Sequence, residues 1–218
     1  MGIELSLVWD IRGVSMENPM IDLHTARINT AGAYVCIHGY YPFAMGSIPN
    51  KGRIPVIRLG GHREEDETGW QCAAREVYEE ASIRIAPQIP QTTFLADGDH
   101  IEADLQKIQW DHEADKENIP LLVVSYCREG KTSLSLMYLA LADKFPTPSS
   151  EIKGLLLLER ENIHRLCQEP LTLEQYLSSG GKAILNDEFD MSLILEPFTQ
   201  LRLLSRIWVA QSESTAAA

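Results

Sequence analysis

The alternation of apolar and polar positions divides the chain into short strands and short helices. "AGAYVCIHGYY" (31–41) carries the two-residue period of a half-buried strand and leads into a loop, "PFAMGSIPNKG". "RIPVIRLGG" (53–61) is a second strand, stopped by a glycine pair, and a helix follows over about 68–81. A strand is expected near "TTFLAD". Residues 100–118 are charged and helix-compatible, with Ile101, Leu105, Ile108 and His112 along one stripe. "LLVVSYCREGKTSLSLMYLALAD" predicts two strands joined at "REGK", and "IKGLLLLE" a further strand. Short helices are predicted at "NIHRLCQ" and "LTLEQYLSSGG", and a closing amphipathic helix over 196–211 with Leu201, Leu204 and Trp208 as its seam. Before all of these stands one strand candidate, "IELSLVWDI", followed by a Met/Asn/Pro loop. Strands interleaved with helices, with hairpins present, predict either an α+β protein or a mixed sheet sandwiched by helices.

On this reading residues 1–31 form an N-terminal extension of strand and loop, 32–211 one domain, and 212–218 a frayed, Ala-rich tail. A length of 218 residues suits one large domain. Hydrophobic residues at 44% and charged residues at 23% are ordinary for a soluble globular protein. The balance of 19 Lys+Arg against 31 Asp+Glu gives a formal charge of −12. That argues against binding extended nucleic acid, which needs a basic footprint to displace counterions. A small anionic ligand is compatible with it once a bound cation reverses the local field. Cys36, Cys72, Cys127 and Cys167 are widely spaced and form no C-x-x-C pair, so they read as free thiols in a reducing compartment. No apolar run approaches the roughly 20 residues that span a bilayer, and the N-terminus lacks the basic start of a signal peptide. A cytoplasmic protein with no membrane partner is the expectation.

The candidate chemistry lies in "GGHREEDETGWQCAAREVYEEASI", residues 60–83. On a helical wheel Glu76, Glu79 and Glu80 fall within about 100° of arc, while Trp70, Ala74, Val77 and Ala81 gather on another side. One face can therefore pack on a sheet while the other presents three carboxylates. Like charges at this spacing cost a few tenths of a kcal/mol per pair, and a hard divalent cation is the natural neutraliser of such oxygens. Arg75, four residues before Glu79, can hold that carboxylate by a charge-assisted hydrogen bond. Gly60 and Gly61 allow a sharp turn, close approach of backbone, and carbonyl ligands to a metal. Asp66 and Thr68 are candidate N-caps.

Gly61, Glu67, Arg75, Glu76, Val77, Glu79, Glu80 and Ile83 stand in the register G-x5-E-x7-R-E-U-x-E-E-x-G-U, with U aliphatic. The stretch thereby resembles the box of the MutT/Nudix hydrolases. One position departs: Ser82 stands where that family has glycine, at a helix exit that usually turns left-handed. The resemblance implies a Nudix-type α/β/α sandwich with a mixed β-sheet. It also implies a metal-dependent hydrolase that attacks phosphorus with water in a nucleoside diphosphate linked to another moiety. Mg²⁺ or Mn²⁺ would be held by Glu76, Glu79 and Glu80 with a carbonyl of Gly60 or Gly61; Arg75 would orient a glutamate and Glu67 would support the loop–helix geometry. The general base would be Glu79, inside the box, or Glu151, on a later loop. Arg58 and Arg63, flanking the box, are candidate phosphate contacts, as are Lys51 and Arg53 in the preceding loop. Tyr40, Tyr41, Phe43 and Trp110 are candidate stacking surfaces for a base. A homodimer is the assembly the family suggests. The competing reading is a Nudix-fold sensor or regulatory module that binds a nucleotide without cleaving it. Retention of every box glutamate favours the enzyme.

Overall fold

The computed structural model describes residues 22–46, 52–186 and 188–216. The strand candidate "IELSLVWDI" and Lys51 lie outside the described residues. β1 (Arg27–Cys36) turns at His38–Gly39 into β2 (Tyr41–Met45). Both turn residues have positive φ, 50° and 87°, and Ile37 and Tyr40 exchange two backbone hydrogen bonds, the signature of a tight two-residue hairpin. β1 begins ahead of the expected domain boundary at residue 32. The segment "PFAM", expected in a loop, is strand: it pairs with the apolar run "LLLL" of β10 (Gly154–Leu158), and the burial this gains outweighs the turn-like composition that follows it.

β3 (Arg53–Ile57) and β4 (Leu59–His62) lead into α1 (Gly69–Ala81). The chain continues through β5 (Ala86–Gln88), β6 (Thr93–Asp97), β7 (Gln106–Ile108), β8 (Leu122–Arg128) and β9 (Lys131–Leu141). After β10 come α2 (Arg160–Gln168), β11 (Leu171–Thr172), α3 (Leu173–Ser178), β12 (Lys182–Leu185), β13 (Ile194–Pro197) and α4 (Thr199–Ala216). Among the described residues the strands form two sheets. One runs β4-β1-β9-β8-β6-β7 with β5 also on β9; the other runs β11-β13-β3-β2-β10-β12. Both are mixed, with parallel pairs β1–β9, β6–β8 and β13–β3 among antiparallel ones.

Alternate residues of a strand point to opposite faces, and the core clusters divide accordingly. Ala33, Val35, Ala44 and Leu155 pack with Val77 and Ala81 of α1, whereas Tyr34, Phe43, Met45, Leu156 and Leu158 pack with Ile163 of α2 and with Leu201, Leu204 and Ile207 of α4. The sheets are thus sandwiched between α1 on one side and α2 and α4 on the other, the α/β/α layering that the resemblance implies, built from two mixed sheets rather than one. Trp208 packs at the edge of this core, edge-on to Tyr41 with ring centroids 5.1 Å apart.

Residues 100–118 do not form the expected helix. Ile108 pairs with Thr93 in β7, and the following loop turns inward, where the Trp110 indole N–H donates to the Asp115 carbonyl at 2.9 Å and a His112 ring nitrogen lies 2.8 Å from the Ala26 carbonyl. Arg206 of α4 donates to the Ile101 and Ala103 carbonyls. Side-chain bonds to backbone offer this segment an alternative to the helical ladder. α4 starts later than expected, because Glu196 and Pro197 belong to β13, and it runs through residues 212–216 that the sequence assigns to a frayed tail. Residues 217–218 lie outside the described ones.

Candidate active site

α1 is built by its own sequence at both ends. Thr68, of the two candidate caps, accepts the Gln71 N–H at 3.1 Å while Gln71 Oε1 accepts the Thr68 N–H at 2.8 Å, a reciprocal capping box. At the exit Ser82 adopts φ 55°, ψ 30°, and its N–H bonds the Tyr78 carbonyl. The left-handed conformation expected of the family's glycine is therefore present with serine in its place. Cys72, Ala73, Val77 and Ala81 are buried on the face toward the sheet, which leaves Glu76, Glu79 and Glu80 turned to the loop above.

That loop is set by β4, which pairs with β1 so that Gly60 lies opposite Gly32 and Gly61 opposite Ala31. Gly60 has φ +142°, and a Cβ on it would meet the Ala31 carbonyl. A Cβ on Gly61 would run into the Glu76 carboxylate. The glycine pair thus lets the strand end approach the carboxylates directly, which no other residue allows.

Arg75 organises the cluster. Its Nε lies 2.6 Å from Glu67 Oε1 and its Nη2 3.0 Å from Glu67 Oε2, a two-pronged pair; Nη1 reaches Glu76 Oε1 and Glu79 Oε2, each at 2.9 Å, and Nη2 also donates to the His62 carbonyl. The hydrogen bonds from Arg75 hold the Glu67 carboxyl below its usual range, and Glu67 raises the Arg75 guanidinium in return. Glu67 also accepts the Glu64 N–H at 3.0 Å and so ties the loop to the helix. Glu80 turns the other way and accepts the Gly60 N–H at 2.9 Å. Burial pushes its carboxyl up to about 7, against the opposing pull of the Gly60 N–H, with the negative charges of Glu76 and Glu151 adding to the rise.

The three carboxylates occupy one side of the helix but do not close into a finished ligand set. Glu76 and Glu79 are drawn onto Arg75 and Glu80 onto Gly60, and among the described residues no three Asp, Glu, His or Cys side chains converge that far. Their chemistry nevertheless fits a hard divalent cation: oxygen donors only, over a backbone cradle that a side chain at Gly61 would fill.

The flanking arginines make contacts within the chain. Arg63 donates from Nε to the Ile28 carbonyl at 3.0 Å and from Nη1 to the Glu65 and Glu67 carbonyls. Two of its guanidinium nitrogens are thus engaged in holding the loop. Arg58 is 8% exposed, with Nη1 3.5 Å from the Ala31 carbonyl. Burial lowers its pKa, and the charge of Glu80 is the strongest influence opposing that. It lies beneath the carboxylates as an internal counter-charge. Arg53 pairs with Glu196 at 3.3 Å. Of the stacking candidates, Phe43 is buried in the core, Tyr41 packs on Trp208, Trp110 stacks on His112, and Tyr40 lies under the Lys182 ammonium.

Glu151 is exposed on the loop before β10. That loop is bonded to the end of α1: the Thr147 N–H donates to the Ala81 carbonyl and the Ser149 N–H to the Glu80 carbonyl, both at 2.9 Å. Two supporting features escaped the sequence. Asp115 is buried against Gly69 at the start of α1, where its carboxylate accepts the Tyr138 hydroxyl, and Asn186 reaches the Glu151 loop. Neither has a local sequence signal, since each acts on an element far along the chain. A concavity of about 650 Å³ between Gln88, Pro90, Phe94 and Trp208 contains none of the box residues.

No family model and no curated protein matches the chain. Solved structures do. A NUDIX-family hydrolase from Clostridium perfringens is similar at 17% identity over 63% of this chain and 83% of its own, with a TM-score of 0.43. A NUDIX hydrolase from Nitrosomonas europaea is similar at 18% identity over 64% and 77%, with a TM-score of 0.40. The C. elegans Ap4A hydrolase, in a binary complex, is similar at 19% identity over 63% and 84%, with a TM-score of 0.39.

Proposed function

We propose that this chain is a metal-dependent Nudix pyrophosphohydrolase, cleaving the diphosphate linkage of a nucleoside diphosphate derivative by attack of water on phosphorus. The observation that carries this reading is the Arg75 fork. One guanidinium locks Glu67 and aligns Glu76 and Glu79, while Glu80 is anchored over the Gly60–Gly61 cradle. A surface helix with unrelated acidic residues has no need of the glycines, the buried Arg58 and the fork together.

Mg²⁺ or Mn²⁺ is the cofactor on this reading, held by Glu76, Glu79, Glu80 and a carbonyl of Gly60 or Gly61, and when bound it screens the phosphates and lowers the pKa of water. The remaining roles belong to the chain itself. Arg75 orients the ligating carboxylates, and Glu67 fixes Arg75. Arg58 offsets part of the local negative charge from below. Glu151, on its loop at the end of α1, takes the proton of the attacking water as general base, with Glu79 the candidate inside the box. The substrate is a small molecule such as a nucleotide sugar, ADP-ribose or a dinucleotide, and a homodimer is the expected assembly, testable by light scattering. Among the described residues no helix is long and apolar enough to cross a membrane.

The test is turnover of ADP-ribose, NADH, coenzyme A, a dinucleoside polyphosphate and an oxidised nucleotide with Mg²⁺ or Mn²⁺, in wild type and Glu80→Gln. Metal-dependent cleavage that falls at least a hundredfold in the variant is the expected result. Nucleotide binding without cleavage of any compound would instead identify a non-hydrolytic sensor.

A further inference from the structure

Asn186 stands just past β12, where the ladder to β10 continues through its N–H to the Lys153 carbonyl at 2.8 Å. Its side-chain Nδ2 lies 2.7 Å from the Ser149 carbonyl, 3.2 Å from that of Ile152 and 3.3 Å from that of Pro148. Three acceptors facing one end of the amide fix its orientation, because only the NH₂ end can donate to them. The same loop is held from its other side, where the Thr147 and Ser149 N–H groups bond the last carbonyls of α1. Residues 147–152 are therefore tied both to the end of the box helix and to one side-chain amide more than thirty residues further on, with Pro148 buried and Ile152 packed on the core between them.

Glu151 sits within this segment, its N–H bonded to Ser149 Oγ at 3.3 Å, two residues from the Ser149 N–H that donates to the Glu80 carbonyl at 2.9 Å. An exposed loop held only by its covalent ends samples many positions for such a side chain, and a misplacement of about 1 Å can cost a reaction on the order of a hundredfold. We infer that Asn186 is a positioning residue for the hydrolysis: by gathering the Pro148, Ser149 and Ile152 carbonyls, it holds Glu151 against the carboxylate cluster. This inference rests on Glu151 being the general base.

The experiment compares wild type, Asn186→Ala, Asn186→Asp, Glu151→Gln and the Asn186→Ala/Glu151→Gln double variant. The substrate is whichever of the five compounds named above the wild type cleaves fastest. Amide hydrogen exchange at Thr147 and Ser149 is measured on the same proteins. Asn186→Ala is expected to lower kcat about tenfold at unchanged KM, to accelerate exchange at those two amides, and to lower kcat no further in the Glu151→Gln background. Asn186→Asp keeps the shape but sets a carboxylate against three carbonyls, and is expected to be at least as impaired. Wild-type kcat in Asn186→Ala, or a loss that adds in full to that of Glu151→Gln, overturns the inference and leaves the hydrolase standing. Wild-type turnover in Glu151→Gln removes the base and the inference together. Absence of cleavage by the wild type overturns the proposed function itself.

Discussion

Glu80 is the residue on which charge and structure oppose each other most directly. Its carboxyl is half-buried beside Glu76 and pushed up to about 7, from an ordinary value of 4.5. A carboxyl raised in the folded state binds its proton more tightly there than in the unfolded chain, so its stabilising contribution is complete below about pH 4.5 and lost as pH rises toward 7. In the presence of EDTA, the wild type is expected to lose stability between about pH 4.5 and pH 7, by on the order of 3 kcal/mol from this group. Glu80→Gln should flatten that slope in urea unfolding; an equal pH dependence in both proteins would remove Glu80 as its source. Ser82 poses a simpler contest. A side chain in the left-handed region is strained by about 1 kcal/mol or more, while glycine costs some of that back in the unfolded chain. Ser82→Gly is therefore expected to raise the urea midpoint by a net gain below about 1 kcal/mol, with m unchanged.

At the scale of elements, α1 was readable in advance and its surroundings were not. The capping threonine, the apolar face, the carboxylate face and the left-handed exit all follow from residues within one helix length of each other, so the sequence reports them directly. The segment 100–118 misled for a matching reason. Its apolar spacing fits a helix, yet its fate depends on partners elsewhere: Arg206 on α4, the Ala26 carbonyl and Tyr138 on β9. β12 and β13 are short strands that gain their stability from ladders to β10 and β3 rather than from their own composition. Arg58 and Arg63 belong to the same class. Both stand in the sequence as candidate phosphate contacts; once the strands are paired, one is enclosed and the other donates to carbonyls of the loop.

At the scale of the whole molecule, distant segments converge on both ends of α1. Its start meets Asp115, from the segment between β7 and β8, whose carboxylate takes the Tyr138 hydroxyl while its Oδ1 has no partner among the described residues. Burial raises the pKa of this carboxyl, and the Tyr138 hydroxyl is what chiefly opposes that. Tyr138→Phe is expected to destabilise the protein by about 1–3 kcal/mol, the cost of leaving a buried acceptor short of its donor. Urea unfolding at neutral pH measures it, and a change within about 0.3 kcal/mol would refute the assignment. The end of α1 meets the Glu151 loop and, through it, Asn186 just past β12. The box helix is thus braced at one end by the segment before β8 and at the other by a strand beyond α3.

The sequence by itself determined the register of the glutamates, the glycine turn before them and the helix between its caps. Those features depend on spacing along a single element, where a residue's neighbours are its neighbours in the chain. Only the tertiary structure decided that Arg58 lies beneath the carboxylates, that Arg63 serves the loop, that burial pushes the Glu80 carboxyl up, that Asp115 packs against the start of the helix, and that Asn186 holds the Glu151 loop. Each of these depends on burial and on hydrogen bonds between strands and loops far apart in sequence, and no local pattern encodes which polar group will be enclosed with which.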